Sequence, residues 1–161
     1  MMRKLLLLSF LANVGLSFAL LFVQPARVAV HFGPDGLPNH WGSNQTNTLA
    51  VLGIQILLFC VFYLAPLLVR HGPTQWINLP HKEYWLLPAN RDLAARKLAA
   101  HFASFGTAVF LLLLVAGLLA LQANRAQPVQ FDTHVSRVAL ALFAGYVAYW
   151  MVGFFRAFRP E

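Results

Sequence analysis

Four long apolar runs, separated by shorter polar segments, set the pattern of this 161-residue chain. The runs cover residues 5–23, 49–69, 102–121 and 138–155, and none of them contains Asp, Glu, Lys or Arg. At a rise of about 1.5 Å per residue, a helix of roughly 20 apolar residues crosses the hydrocarbon core of a bilayer, which is about 30 Å thick. The pattern therefore predicts an all-α integral membrane protein with four transmembrane helices.

The composition agrees with a membrane protein. Hydrophobic residues make up 59% of the chain, charged residues make up 11%, and the mean hydropathy is +0.63, which is too apolar for a soluble domain of this size. Lys and Arg outnumber Asp and Glu by 12 to 5. They flank the apolar runs instead of forming one polar face, so we expect lipid headgroups and not nucleic acid as their partners. The single cysteine, Cys60, lies within an apolar run, so an intramolecular disulfide is excluded.

The sequence shows no pattern that points to an enzyme. The apolar runs lack the titratable carboxylates and amines that an intramembrane proton relay or aspartyl protease needs. Ser43 stands near His40, but an oxyanion motif and a third catalytic partner are missing. The chain also lacks a phosphate-binding glycine loop, a haem motif and a dinucleotide fingerprint. We therefore predict that the protein is not an enzyme.

The basic residues predict the orientation of the helices. If the N-terminus is cytoplasmic, the cytoplasmic segments contain nine Lys and Arg residues and the outer segments contain three. The nine are Arg3, Lys4, Arg70, Lys82, Arg91, Arg96, Lys97, Arg156 and Arg159, and the three are Arg27, Arg125 and Arg137. The positive-inside rule then predicts that both termini are cytoplasmic and that residues 24–48 and 122–136 form extracytoplasmic loops. A signal peptide is the alternative for residues 5–23, but this run is longer than a usual h-region of roughly 7 to 15 residues.

The first predicted helix carries a polar stripe. Ser9, Asn13 and Ser17 are spaced at i, i+4 and i+8 and therefore share one helix face. A polar stripe is costly against lipid, so we expect it to face the other helices. Gln55 of the second run is predicted to lie at the depth of Ser17. Interhelical hydrogen bonding is the favoured interpretation, and a ligand or ion path is the alternative.

The rest of the chain predicts one membrane domain in three parts. Residues 1–70 form an N-terminal unit of two helices and a loop, residues 71–101 form a cytoplasmic interfacial segment, and residues 102–161 form a helical hairpin. Aromatic residues and prolines alternate in the interfacial segment, which is typical of an irregular strip at the headgroup boundary. Asn90 is a candidate N-cap for a helix that continues into the third span. Small residues mark one face of the last span, namely Ala141, Ala144, Gly145 and Ala148; they serve packing within one subunit or a homo-oligomer.

The loop at residues 25–44, here called the first outer loop, carries the candidate chemistry. It contains His31, His40 and Trp41, and the predicted orientation places His134 on the same side of the membrane. Three imidazoles suit zinc, so one hypothesis is a metal site formed by these three histidines. The other hypothesis is that the histidines form hydrogen bonds within the loop, with Trp41 as an interfacial anchor.

The first outer loop also resembles a known membrane domain. His31-Phe32, Gly36-Leu37-Pro38 and Trp41-Gly42-Ser43, with one apolar run before them and one after, are similar to the small N-terminal domain of unknown function in SdpI-type immunity membrane proteins of bacteria. The likeness covers roughly residues 1–70. Three positions depart from the family pattern: Asn39 replaces a common Asp, Ala29 a frequent proline, and Asn44 a frequent lysine.

The resemblance implies a protein of the bacterial inner membrane that acts in binding, immunity or signalling. The expected ligand is an extracytoplasmic peptide or toxin, and the expected ligand-binding residues are His31, Phe32, Gly36, Pro38 and Trp41. The departures weaken any expectation of charge-dependent binding in the loop. Two alternatives stay open: a metal-binding or metal-sensing membrane protein, and a structural subunit of a larger membrane complex.

Overall fold

Long helices account for most of the fold. The computed structural model describes residues 1–160 of the chain. Its elements, in order, are α1 (Met2–Val23), β1 (Arg27–Phe32), β2 (Pro38–Ser43), α2 (Asn44–His71), a 3₁₀ turn (Thr74–Trp76), α3 (Lys82–Trp85), α4 (Pro88–Arg125) and α5 (Thr133–Ala157). Within the described residues, α1, α2, α4 and α5 are long and apolar enough to cross a membrane. The predicted number of spanning helices is thereby confirmed.

Helices α1, α2 and α4 pack on one another, and α5 packs mainly on α4. The centre of this bundle is formed by Leu6, Ala103 and Phe110, which are almost fully buried. A Cβ atom on Gly106 would lie 2.8 Å from both the Leu6 and Phe62 side chains. Glycine therefore lets α4 approach α1 and α2 closely, as small residues commonly do between membrane helices.

The small residues of the last span are not used within the bundle. Ala141, Ala144, Gly145 and Ala148 are all exposed, and no atom lies within 4 Å of the position that a Cβ on Gly145 would occupy. None of the residues of α5 is buried. This face therefore does not serve packing within one subunit, and the homo-oligomer stays a prediction.

The interfacial segment contributes to a second core, at the end of the bundle that carries both chain termini. Ile77, Leu79 and Trp85 are buried there, packed with residues of α2, α4 and the end of α5. Trp85 Nε1 donates to the carbonyl oxygen of Phe158 at 2.7 Å, and Lys97 Nζ donates to that of Ala157 at 2.9 Å. The prediction of a surface strip is thus wrong for Trp85, because its indole holds the C-terminal end of α5.

Two helix starts differ from the predicted ones. Helix α2 begins at Asn44, five residues before the apolar run, because the Ser43 hydroxyl accepts a hydrogen bond from the Thr46 amide at 3.4 Å. Helix α4 begins at Pro88, whose fixed φ suits the first helical position. The predicted N-cap role of Asn90 is wrong, since its side chain donates to the carbonyl oxygen of Tyr84. The helix does continue without a break through the third span, as predicted.

The bundle core generates a stability prediction. Leu6→Ala removes a fully buried side chain between α1 and α4, and we expect it to lower the free energy of unfolding by about 2 kcal/mol through the cavity it leaves. Leu8→Ala is the matched control, because Leu8 is 61% exposed on the same helix. Reversible unfolding in mixed micelles measures both variants. Equal effects of the two substitutions would contradict this placement of α1.

Candidate ligand cavity beneath a β-hairpin

The first outer loop forms an antiparallel β-hairpin, which departs from the predicted all-α class. Strands β1 and β2 pair with irregular register near His31. In the turn, the Gly33 amide donates to the Leu37 carbonyl oxygen at 2.8 Å, and Asp35 Oδ1 accepts from the Leu37 amide at 3.1 Å. Gly36 has a φ of 82°, which glycine adopts readily. A Gly-Pro-Asp-Gly turn after β-branched residues was the available signal.

Two asparagines fasten the base of the β-hairpin to the helices. Asn124, at the end of α4, accepts from the Ala29 amide at 2.7 Å and donates to the Ala29 carbonyl oxygen at 3.1 Å. Asn44 Nδ2 donates to the Leu20 carbonyl oxygen at 3.0 Å, and its backbone amide donates to that of Ala26 at 2.9 Å. Both side chains are buried. They therefore tie β1 to the ends of α1, α2 and α4.

The turn of the β-hairpin is docked onto the connection between α4 and α5. The Phe131 amide donates to the Gly36 carbonyl oxygen at 2.9 Å, and the Phe32 and Phe131 rings stack with centroids 5.0 Å apart. Arg137 of α5 donates to the Pro34 carbonyl oxygen at 3.1 Å. The two predicted outer loops are thus one packed unit at the same end of the bundle.

A cavity of about 560 Å³ lies between the β-hairpin and the helices. Its lining comes from α1, α2, α4, β1, the hairpin turn and the first turns of α5. Most of the wall is apolar, including Leu16, Leu20, Val51, Leu113 and Gly117. A volume of this size is within the usual range of small-molecule sites, which is roughly 300–1,000 Å³.

Polar side chains converge at the end of the cavity farthest from the β-hairpin. Asn13, Ser17 and Gln55 line it there, and each is at most 3% exposed. Ser17 Oγ and the Gln55 side chain lie 3.3 Å apart, which confirms the predicted contact. Along α1, Asn13 lies ten residues before Val23, the last residue of the helix, which is a depth of roughly 15 Å.

Asn13 has an unsatisfied acceptor. Its Nδ2 donates to the carbonyl oxygens of Ser9 at 2.9 Å and Phe110 at 2.7 Å. Its Oδ1 has no hydrogen-bond partner, although the residue is only 1% exposed. Exchanging the positions of the amide oxygen and nitrogen would not satisfy the oxygen, because Oδ1 would then face two carbonyl oxygens. Asn13 is among the residues that line the deep end of the cavity, and its Oδ1 is a buried acceptor without a partner there.

The five residues predicted to bind a ligand have different positions. His31 and Phe32 line the cavity near its mouth. Gly36 is buried in the contact with Phe131. Pro38 pairs with Phe32 across the sheet, and Trp41, 39% exposed, is not part of the lining.

The predicted metal site is not assembled. His31 and His40 are register partners in the β-hairpin, but His31 Nδ1 lies 2.6 Å from Asn39 Oδ1 in a hydrogen bond. His134 is in the first turn of α5. Between residues 1 and 160, no group of three or more His, Cys, Asp or Glu side chains is placed to hold a metal ion.

Asn124 and Arg137 were not predicted as site residues. Arg137 lines the mouth of the cavity, and Asn124 lines it where β1 meets α4. Each side chain bonds to a backbone group of the first outer loop that is distant in sequence. No motif with fixed spacing therefore marks either residue. The polar stripe of α1 was found from its helical period, and its prediction to face the other helices is confirmed.

Comparison with known proteins gives no match: no family model, curated protein or solved structure is similar to this chain.

The docked turn generates a prediction about Gly36. A Cβ at this residue would lie 2.5 Å from the Phe131 carbonyl oxygen, and a positive φ costs an ordinary residue about 1–2 kcal/mol. We expect Gly36→Ala to speed hydrogen exchange of the Phe131 amide by about five- to thirtyfold, which corresponds to that energy.

Gly33→Ala is the matched control in the same turn, because Gly33 has no positive φ and the atom nearest to its new Cβ, Asp35 Oδ1 at 2.7 Å, is the end of a side chain that bonds within the turn and not to Phe131. Hydrogen–deuterium exchange with mass spectrometry measures the exchange rate around Phe131 in both variants. Unchanged exchange in Gly36→Ala would show that the turn is not held by this contact.

Proposed function

We propose that this protein is a binding protein of the bacterial inner membrane, of immunity or signalling type, and that it holds its ligand in the cavity beneath the β-hairpin. The charge distribution supports an orientation with both termini in the cytoplasm. In that orientation the β-hairpin end of the cavity lies on the extracytoplasmic side. The first outer loop then acts as a cover that is fixed at its base and its turn.

The unpaired Oδ1 of Asn13 is the observation that carries this proposal. A buried acceptor without a partner costs roughly 1–3 kcal/mol, and such groups are rare in folded proteins unless they have a purpose. A ligand that donates an N–H or O–H group to Oδ1 removes this cost. The free energy lost in the empty protein is then recovered on binding.

The lining indicates an amphipathic ligand. The apolar wall suits a hydrophobic body, the deep acceptor suits a donor, and the Arg137 guanidinium at the mouth suits a carboxylate or carbonyl oxygen. A short apolar segment of a peptide meets all three requirements, since its backbone has N–H donors and its C-terminus is an anion. A peptide or peptide toxin is therefore the ligand class that we propose.

The metal-sensing alternative has less support. Neutral imidazoles are good zinc ligands, but a site needs several of them directed at one point. His31, His40 and His134 are not grouped in this way. The cavity, in contrast, has a deep polar end and an apolar wall in one place.

Blocking the cavity tests the proposal. Ala116 lines the cavity, and we expect Ala116→Trp to fill it and to remove the small molecule or peptide that copurifies with the wild type. Native mass spectrometry of the protein, released from mild detergent, measures the bound mass. Ala12→Trp is the matched control, because Ala12 is exposed on α1 and does not line the cavity.

A wild-type protein that carries no additional mass after purification from its own host membrane would count against the proposal. The same holds if both tryptophan variants lose the bound species equally.

Replacing the unsatisfied acceptor separates stability from binding. Asn13→Leu has a similar side-chain volume, removes the unpaired oxygen and leaves two backbone carbonyls that have other partners in their helices. We expect its thermal stability without ligand to stay within about 1 kcal/mol of the wild type or to increase, while retention of the bound species is lost. Ser9→Ala is the control, since Ser9 bonds within its own helix and does not line the cavity.

If Asn13→Leu keeps the bound species, the ligand does not use Oδ1, and this part of the proposal is wrong.

A further inference from the structure

A second concave surface lies at the opposite end of the bundle, where both chain termini are. It has a volume of about 530 Å³ and is formed by the start of α1, the end of α2 and the first turns of α4. We call it the basic groove. Its lining residues are Met1, Met2, Arg3, Leu67, Arg70, Asp92, Ala95, Arg96, Ala99 and Ala100.

The charge of the basic groove is not balanced. Three arginines face one acid, and that acid is already paired, since Arg70 Nε donates to Asp92 Oδ1 at 3.0 Å. This is the one salt bridge among the described residues. Arg3 lies over the Tyr63 ring at 5.2 Å and has no carboxylate partner. Arg96 is exposed and has none either.

These arginines differ from other basic residues at the same end. Arg91 donates to the carbonyl oxygens of Val69 and Gly72, and Lys97 donates to that of Ala157. Arg91 and Lys97 therefore hold the C-terminal ends of α2 and α5. Arg3 and Arg96 donate to no carbonyl or carboxylate oxygen in this way, and the contact of Arg3 with the Tyr63 ring uses none of its N–H donors, so both guanidinium groups can still donate to an anion.

The surface beside the charges is formed by apolar side chains, most of them small. Ala95, Ala99 and Ala100 of α4 form one side, and Leu67 of α2 forms another. The groove is thus at the end of helices that are apolar enough to cross a membrane, which is the level of the lipid headgroups. The planar guanidinium group of arginine can donate two parallel hydrogen bonds to two oxygens of a phosphate, and an apolar floor suits the glycerol and the start of an acyl chain.

We propose that the basic groove binds the phosphate group of an anionic phospholipid. The floor of alanines favours a lipid over free phosphate, because a soluble anion gains nothing from apolar surface. The inference does not depend on the ligand of the cavity, which is at the other end of the bundle.

The test uses the full chain in a neutral detergent, titrated with phosphatidylglycerol or phosphatidylcholine of the same acyl chains and followed by native mass spectrometry. We expect one saturable site that prefers phosphatidylglycerol at least tenfold. Each lost arginine is expected to weaken binding about fivefold, so the double variant Arg3→Gln/Arg96→Gln loses about twenty-fivefold. The double variant Arg156→Gln/Arg159→Gln removes the same charge outside the groove and should change binding less than twofold.

Three results would overturn the proposal. The first is equal binding of both lipids, and the second is an equal loss in the two double variants, which would indicate diffuse attraction to the basic surface. The third is displacement of phosphatidylglycerol by millimolar inorganic phosphate, which would assign the groove to a soluble anion. Circular dichroism serves as the control that shows whether each variant is folded. Should Arg3→Gln/Arg96→Gln fail to fold, the single variant Arg96→Gln gives the same test with a fivefold expected loss.

Discussion

Polar groups inside an apolar bundle must find partners within the chain, because the surrounding hydrocarbon has no hydrogen bonds to give. Three asparagines show the effect of this constraint. Asn44 and Asn124 satisfy it completely, and in doing so they fix the β-hairpin to the helices. Asn13 satisfies it with its nitrogen and leaves its oxygen unpaired, and the residue lines the cavity. The same physical requirement thus explains how the β-hairpin is fixed to the helices and why the one unpaired amide oxygen of Asn13 is unusual.

The two ends of the bundle are held together by different kinds of contact. At the hairpin end, asparagine side chains, backbone groups and Arg137 make the contacts, and a cavity is left between them. At the other end, arginine, lysine and tryptophan side chains bond to the carbonyls that end α2 and α5. Cations are favoured at helix C-termini by the helix dipole. Some of the basic residues at this end therefore stabilise the helix ends, and only the others are free for the proposed contacts with lipid.

The sequence was sufficient for the features that repeat with a period. The four apolar runs predicted α1, α2, α4 and α5, and the spacing of Ser9, Asn13 and Ser17 predicted which face of α1 is buried. Features that depend on contacts distant in sequence were not predictable in this way. The β-hairpin was missed although its Gly-Pro-Asp-Gly turn was visible, because Arg27–Phe32 has no strict alternation of apolar and polar residues. The bond between Asn124 and Ala29 joins residues 95 positions apart, and no local pattern marks such a pair.

Helix α5 is attached to the rest of the protein chiefly at its two ends and along α4. Its first turns reach the β-hairpin through Arg137 and the preceding Phe131, and its last turn meets Trp85 and Lys97. Thr133, Ser136 and Arg137 also line the cavity. A helix of 25 residues behaves as a stiff rod of roughly 38 Å. The cavity and the core around Trp85 therefore share one continuous structural element, although they lie at opposite ends of the bundle.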